Sequence, residues 1–212
     1  YLSGTGTVLR AFFADIRGNS ALSAGGGIAA EGDSIAVVGR PVAGIDWCPD
    51  KVRCSLLRDN SAATGGAAWV AASALTVHGT HLEGNSGDAG AVVYLFDGAE
   101  ATIQASLTLG NVTAADNTNI GPNFVSASSS ATSVRFLTSI FSQPDGTLLG
   151  GTGAGTAKQV DCVLSPTVNF LAGLPVGTAI RAIYIADPRF ANAATGNYQI
   201  RGTSPAIDHC DL

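Results

Sequence analysis

Apolar positions along this chain recur with period two in short runs, as at Ile35 and Val37 or Leu75 and Val77, bounded by glycine and asparagine. That alternation predicts strands, because successive side chains of an extended backbone point to opposite faces. No stretch carries the three-to-four-residue apolar spacing of a convincing helix. Further short strands are expected at Ala101–Ile103, Ser133–Phe136 and Ser139–Phe141, and the glycine-rich run Gly146–Gly155 is expected to be a surface turn or flexible loop.

The strands are punctuated by a repeated phrase. Ile16-Arg17-Gly18-Asn19-Ser20-Ala21 precedes Gly25-Gly26-Gly27; Leu57-Arg58-Asp59-Asn60-Ser61-Ala62 precedes Gly65-Gly66; Leu82-Glu83-Gly84-Asn85-Ser86-Gly87 precedes Gly90-Ala91-Val92. The glycine follows its asparagine by six residues, then five, then five, while Asn60 to Asn85 spans 25 residues and Asn19 to Asn60 spans 41. Aligning Ser34–Gly39 with Ala74–Gly79 places the 16 extra residues in an inserted loop of about 40–53. A unit this short cannot bury its apolar side chains alone but can do so stacked on copies of itself. Each coil then rises by one strand spacing, about 4.8 Å, and equivalent residues fall in axial rows. Asn19, Asn60 and Asn85 are expected to form one such row, their amides bonding along it, with Asn111 or Asn117 as the next rung. The expected fold is therefore all-β, a right-handed parallel β-helix forming a single domain over 1–212, closed by residues 186–212.

Composition narrows the partners. Charged residues are 13% of the chain and the net charge is -5, with arginines scattered rather than clustered, so no nucleic-acid partner is expected. No run of about 18 apolar residues exists to make a transmembrane segment. The chain holds no methionine and begins at Tyr1, so if made in the ordinary way it is expected to have lost an N-terminal piece, as a cleaved signal peptide, a proteolytic trim or a cloned fragment would each explain.

Cys48, Cys54, Cys162 and Cys210 are an even set without zinc-type spacing, which points to two disulfides in an oxidising compartment and to no metal or other cofactor. Of the three possible connectivities, Cys48 with Cys54 and Cys162 with Cys210 is expected: the first pair flanks the turn-forming Pro49-Asp50, and the second would clip the tail to the body.

The Asn-Ser-Ala and Gly-Gly phrase resembles the repeats of the polymorphic outer-membrane proteins. Asp187-Pro188-Arg189-Phe190, Gly196–Ile200 and Ser204–Asp208 resemble the closing segment of secreted bacterial right-handed β-helix proteins. The resemblance implies an extracellular or outer-membrane address and a group containing both adhesins and polysaccharide-degrading enzymes.

Candidate chemistry is sparse. His78-Gly79-Thr80-His81-Leu82-Glu83 gathers two imidazoles and a carboxylate, but in an unbent strand His78 and His81 point to opposite faces, and solvated positions are expected for both. Asp15, Glu31, Asp33, Asp59, Asp88 and Asp97 fall on different turns, so catalytic residues stay unassigned and enzyme activity is disfavoured. In the inserted loop, Trp47 beside Asp46 suits contact with a sugar ring. The expected function is a non-enzymatic, adhesin-like surface protein contacting polysaccharide or a cell-surface glycan; the alternative is a carbohydrate-active enzyme, lyase or hydrolase, or a carbohydrate-binding fragment of one.

Overall fold

The computed structural model describes residues 1–39, 54–97, 104–119, 123–128, 133–142, 146–151, 158–169, 174 and 177–207. The inserted loop 40–53, with Asp46, Trp47 and Cys48, lies outside the described residues, as do Ala101–Ile103 and Cys210.

The chain is all-β and its large sheets are parallel. One six-stranded sheet runs in the order Leu2–Ser3, Ile28–Glu31, Ala68–Ala71, Val93–Phe96, Asn123–Ala127 and Thr147–Gly150. A ten-stranded sheet is built on Val8–Ala11, Ile35–Val38, Ala74–Glu83, Ser106–Ala115, Ser133–Ser142 and Lys158–Ser165. Asp15–Arg17 and Ser55–Arg58 extend its far half, and Ala179–Ile180 and Ile183–Ile185 lie at its end. Ser61–Thr64, Ser86–Ala89 and Thr118–Asn119 make a third sheet of three strands. In the parallel sheets the chain returns to each sheet in turn, so a strand pairs with one laid down on an earlier visit.

Alternation explains the core. Leu9, Ala36, Leu75, Leu107 and Val134 are register partners in one row, and Ala11, Val38, Val77, Leu109, Phe136 and Val160 in another. Both rows face Ile28, Ala68, Val93, Val125 and Leu149 of the six-stranded sheet inside one apolar cluster. Alanine, valine, leucine and isoleucine fill the early coils. In later coils the same space holds Phe124, Phe136 and Phe141, packed edge to face with Phe141 centroids 5.3 Å from Phe124 and 5.7 Å from Phe136. Such pairs add about 0.5–1.5 kcal/mol each to their burial.

The coils turn at residues with left-handed backbone. Gly18, Asp59, Gly84 and Asp116, with φ of 64°, 54°, 63° and 53°, precede Asn19, Asn60, Asn85 and Asn117. Here the amide ladder forms. Asn19 Nδ2 donates to Asn60 Oδ1 at 2.9 Å, Asn60 Nδ2 to Asn85 Oδ1 at 3.1 Å, and Asn85 Nδ2 to Asn117 Oδ1 at 2.9 Å. The rung left open between Asn111 and Asn117 is Asn117; Asn111 sits at a different bend. Asn60 and Asn85 also donate to the carbonyls of Ile16 and Leu57, one coil back, at 2.9 and 2.8 Å. Asn60 and Asn85 are fully buried, so these bonds satisfy groups that water does not reach.

Three local expectations are corrected, the first in the alignment of Ser34–Gly39: Ile35 registers with Ala74 rather than Leu75, so Ala36 and Val38 face the core and Ile35 is 42% exposed. Thr147–Gly150, within the run read as a surface loop, is the last strand of the six-stranded sheet, with Leu148 and Leu149 completely buried. Its glycines mask an apolar pair that the preceding coil demands, since Val125 registers with Leu149. Helical backbone occurs at Val168 and Asn169, and a 3-10 turn at Ala193–Thr195, where none was expected. Within the closing segment, Phe190–Asn192 pairs antiparallel with Asn197–Ile200. This hairpin packs Phe190 and Tyr198 against Ala115 and Ile140 on the outside of the ten-stranded sheet.

Candidate functional site: the outer walls

Every inward row of a strand implies an outward one, and the outward rows carry the chemistry. On the six-stranded sheet, Ala29, Trp69, Tyr94 and Ser126 are successive register partners. Trp69 and Tyr94 are therefore one strand spacing apart, about 4.8 Å, and each is half-buried. Phe96 stands on the same face, 42% exposed, and the Tyr1 hydroxyl donates to Glu31 at its edge. Sequence reading missed this aromatic group. Its signal was present: Trp69 in Ala68-Trp69-Val70 and Tyr94 in Val93-Tyr94-Leu95 occupy the polar phase of two equivalent runs.

The ten-stranded sheet bends in mid-strand, and its two halves differ. Gly79, with φ of 50°, is the bend in Ala74–Glu83. That bend changes the phase expected of an unbroken strand, so His78 and His81 both point outward, on either side of the corner. Solvation does not follow, which corrects the expectation for them. The His78 ring lies where a Gly110 Cβ would stand. Burial lowers the His78 pKa below its ordinary value, against a smaller raising effect from the Gly110 backbone. His81 is only 3% exposed, because the C-terminal hairpin covers its half of the wall.

Under that hairpin a cavity of about 310 Å³ is lined by His81, Thr195, Gly196, Asn197, Tyr198 and Gln199. The Tyr198 hydroxyl donates to Asp116 Oδ2. Burial, then that carboxylate acceptor, push the phenol pKa well above its ordinary range. Nearby, Arg58 donates to Asp15 through Nε at 3.3 Å and Nη2 at 2.9 Å, and Arg17 lies 3.4 Å from the same carboxylate. These are surface pairs, worth little to stability.

On the uncovered half, Arg10, Val37, Thr76, Thr108, Arg135, Gln159 and Ala179 form one outward column in register. It ends in an open basin of about 580 Å³ lined by Ser133, Arg135, Gln159, Gly177, Ala179, Ile180 and Arg181.

Among the described residues, no group of three or more His, Cys, Asp or Glu side chains is placed to hold a metal ion. Cys54 and Cys162 are buried, and neither is a free thiol. No described helix is long and apolar enough to cross a membrane. No family model matches the chain, and neither a curated protein nor a solved structure is significantly similar to it.

Proposed function

We propose that this chain is a right-handed parallel β-helix from a secreted or outer-membrane bacterial protein, of the polymorphic outer-membrane repeat type. Its role is that of a non-enzymatic, adhesin-like scaffold that contacts polysaccharide. The observation that carries the reading is the aromatic group of Trp69, Tyr94 and Phe96, held outward on one face of a sheet whose strands are locked in register. Flat aromatic faces on a rigid backbone suit the apolar faces of sugar rings at low ordering cost. Right-handedness follows from the strong preference of parallel crossover connections. The pairing of Cys48 with Cys54 and Cys162 with Cys210 belongs to the same reading, as does the oxidising compartment it requires.

A second reading, a carbohydrate-active enzyme, is favoured by one feature: His81 and Tyr198 line a single cavity, and Tyr198 is bonded to Asp116. A polysaccharide panel scored for both retention and release separates the two. Retention without new reducing or unsaturated ends, weakened at least tenfold by Trp69→Ala, is the expected result. Release of ends that Tyr198→Phe abolishes would replace the scaffold reading with the enzymatic one.

A further inference from the structure

We infer that the basin between Arg135 and Arg181 is a subsite for a carboxylate or sulfate group carried on an extended, hydroxyl-rich polymer; the inference rests on the polysaccharide-contact reading and names the class of glycan. Arg135 is an exposed residue, and its Nε donates to Gln159 Oε1 at 3.0 Å. That bond orients the guanidinium plane while the terminal Nη donors make no hydrogen bond among the described residues. Arg181 lines the same basin, with Nη1 3.5 Å from Asp161 Oδ2. At that distance the pair leaves most of the five guanidinium donors available. Two forks facing one open space match the geometry of an oxyanion, which arginine binds through paired hydrogen bonds.

The surroundings distinguish a polymer from a free anion. Thr108 and Thr76 continue the Arg135 column along the stack, one residue per strand. A polymer lying along the axis meets a hydrogen-bonding side chain at each step of about 4.8 Å. Ile180, 55% exposed beside Arg181, offers an apolar contact for a ring face. The basin volume of about 580 Å³ falls inside the roughly 300–1,000 Å³ typical of ligand sites.

The test uses the intact chain and four probes: alginate oligosaccharides, the same oligosaccharides with their carboxyl groups reduced, dextran sulfate and dextran. Expected is binding of alginate, dextran sulfate or both, weakened by salt, with at least tenfold loss on carboxyl reduction or relative to dextran. Loss of one charge-assisted fork is worth about ten- to a hundredfold in affinity, so Arg135→Ala and Arg181→Ala should each show that loss. Arg135→Lys, which keeps the charge without the fork, should recover only part of it. Both side chains are exposed, and circular dichroism on each variant checks that the fold is retained. Preference between alginate and dextran sulfate decides which anion the site serves. Equal binding of acidic and neutral probes, or acidic binding indifferent to both arginines, overturns the inference while leaving polysaccharide contact standing. Failure of every probe and of the wider panel overturns both.

Discussion

Two bends of the stack solve the same backbone problem with different chemistry. At one, left-handed Gly18, Asp59, Gly84 and Asp116 are each followed by an asparagine, and the amides bond from coil to coil. At the other, the left-handed residues in register are Gly79, Asn111, Thr138 and Cys162, with φ between 45° and 54°. Nothing repeats there except the conformation. Hydroxyls close the gap where they occur: Thr80 Oγ1 donates to the His78 carbonyl at 2.8 Å and Ser139 Oγ to the Leu137 carbonyl at 2.6 Å. Stacking imposes the dihedral angles at both bends. Between these two bends, the residue type recurs only at the one where a buried side chain must bond its neighbours above and below.

The sharpest way to break this comparison is Asn85→Ala. Asn85 Oδ1 accepts from both the backbone N–H and Nδ2 of Asn60, and its own Nδ2 donates to Leu57 and Asn117. Stranding several fully buried groups at about 1–3 kcal/mol each should cost about 3–5 kcal/mol in urea unfolding, allowing for partial relaxation. At the second bend, Thr138→Gly should change stability by less than about 1 kcal/mol, since relief of left-handed strain offsets the extra chain entropy. A loss at Thr138 as large as that at Asn85 would show that the second bend is also held by its side chains.

Reduction of the proposed disulfides should come next in size, at about 2–4 kcal/mol. Peptide mapping without reduction should link Cys48 to Cys54 and Cys162 to Cys210; a bridge between Cys48 and either of the other two refutes the pairing. Tyr198→Phe should cost about 1 kcal/mol, because it removes a partly buried hydrogen bond whose acceptor, Asp116, is exposed and regains water. Faster hydrogen exchange confined to Phe190–Ile200 would accompany it if the hairpin is held to the wall by that bond.

The smallest effect concerns His78. Its folded pKa lies below the ordinary 6.5, so the unfolded chain binds the proton more readily. Stability is therefore full above about pH 7 and declines as pH falls through 6.5 toward the folded value. His78→Gln should show a shallower decline between pH 7.5 and 5.5 than the parent chain; identical slopes would remove His78 as a contributor.

Much of this architecture is legible in the order of the residues. The Asn19, Asn60 and Asn85 row and the outward phase of Thr76 follow from spacing and alternation, whereas at Ile35–Val38 the more apolar phase, Ile35 and Val37, faces outward and Ala36 and Val38 turn in. Spacing does not choose Asn117 over Asn111, because the interval from Asn85 lengthens from 25 to 32 residues and the repeat phrase has decayed. Leu148 and Leu149 are hidden by flanking glycines, and Trp69 and Tyr94 escape notice because no polar or charged motif marks them.

Period and the identity of the ladder are local consequences of spacing and of the needs of buried amides, so the linear chain suffices for them. Which outward residues stay open to solvent is settled by packing. His81 and Thr76 lie on the same strand, but the hairpin at Phe190–Ile200 covers the half that holds His81 and leaves the other half bare. That choice depends on where a segment more than a hundred residues away docks, and alternation along one strand carries no record of it.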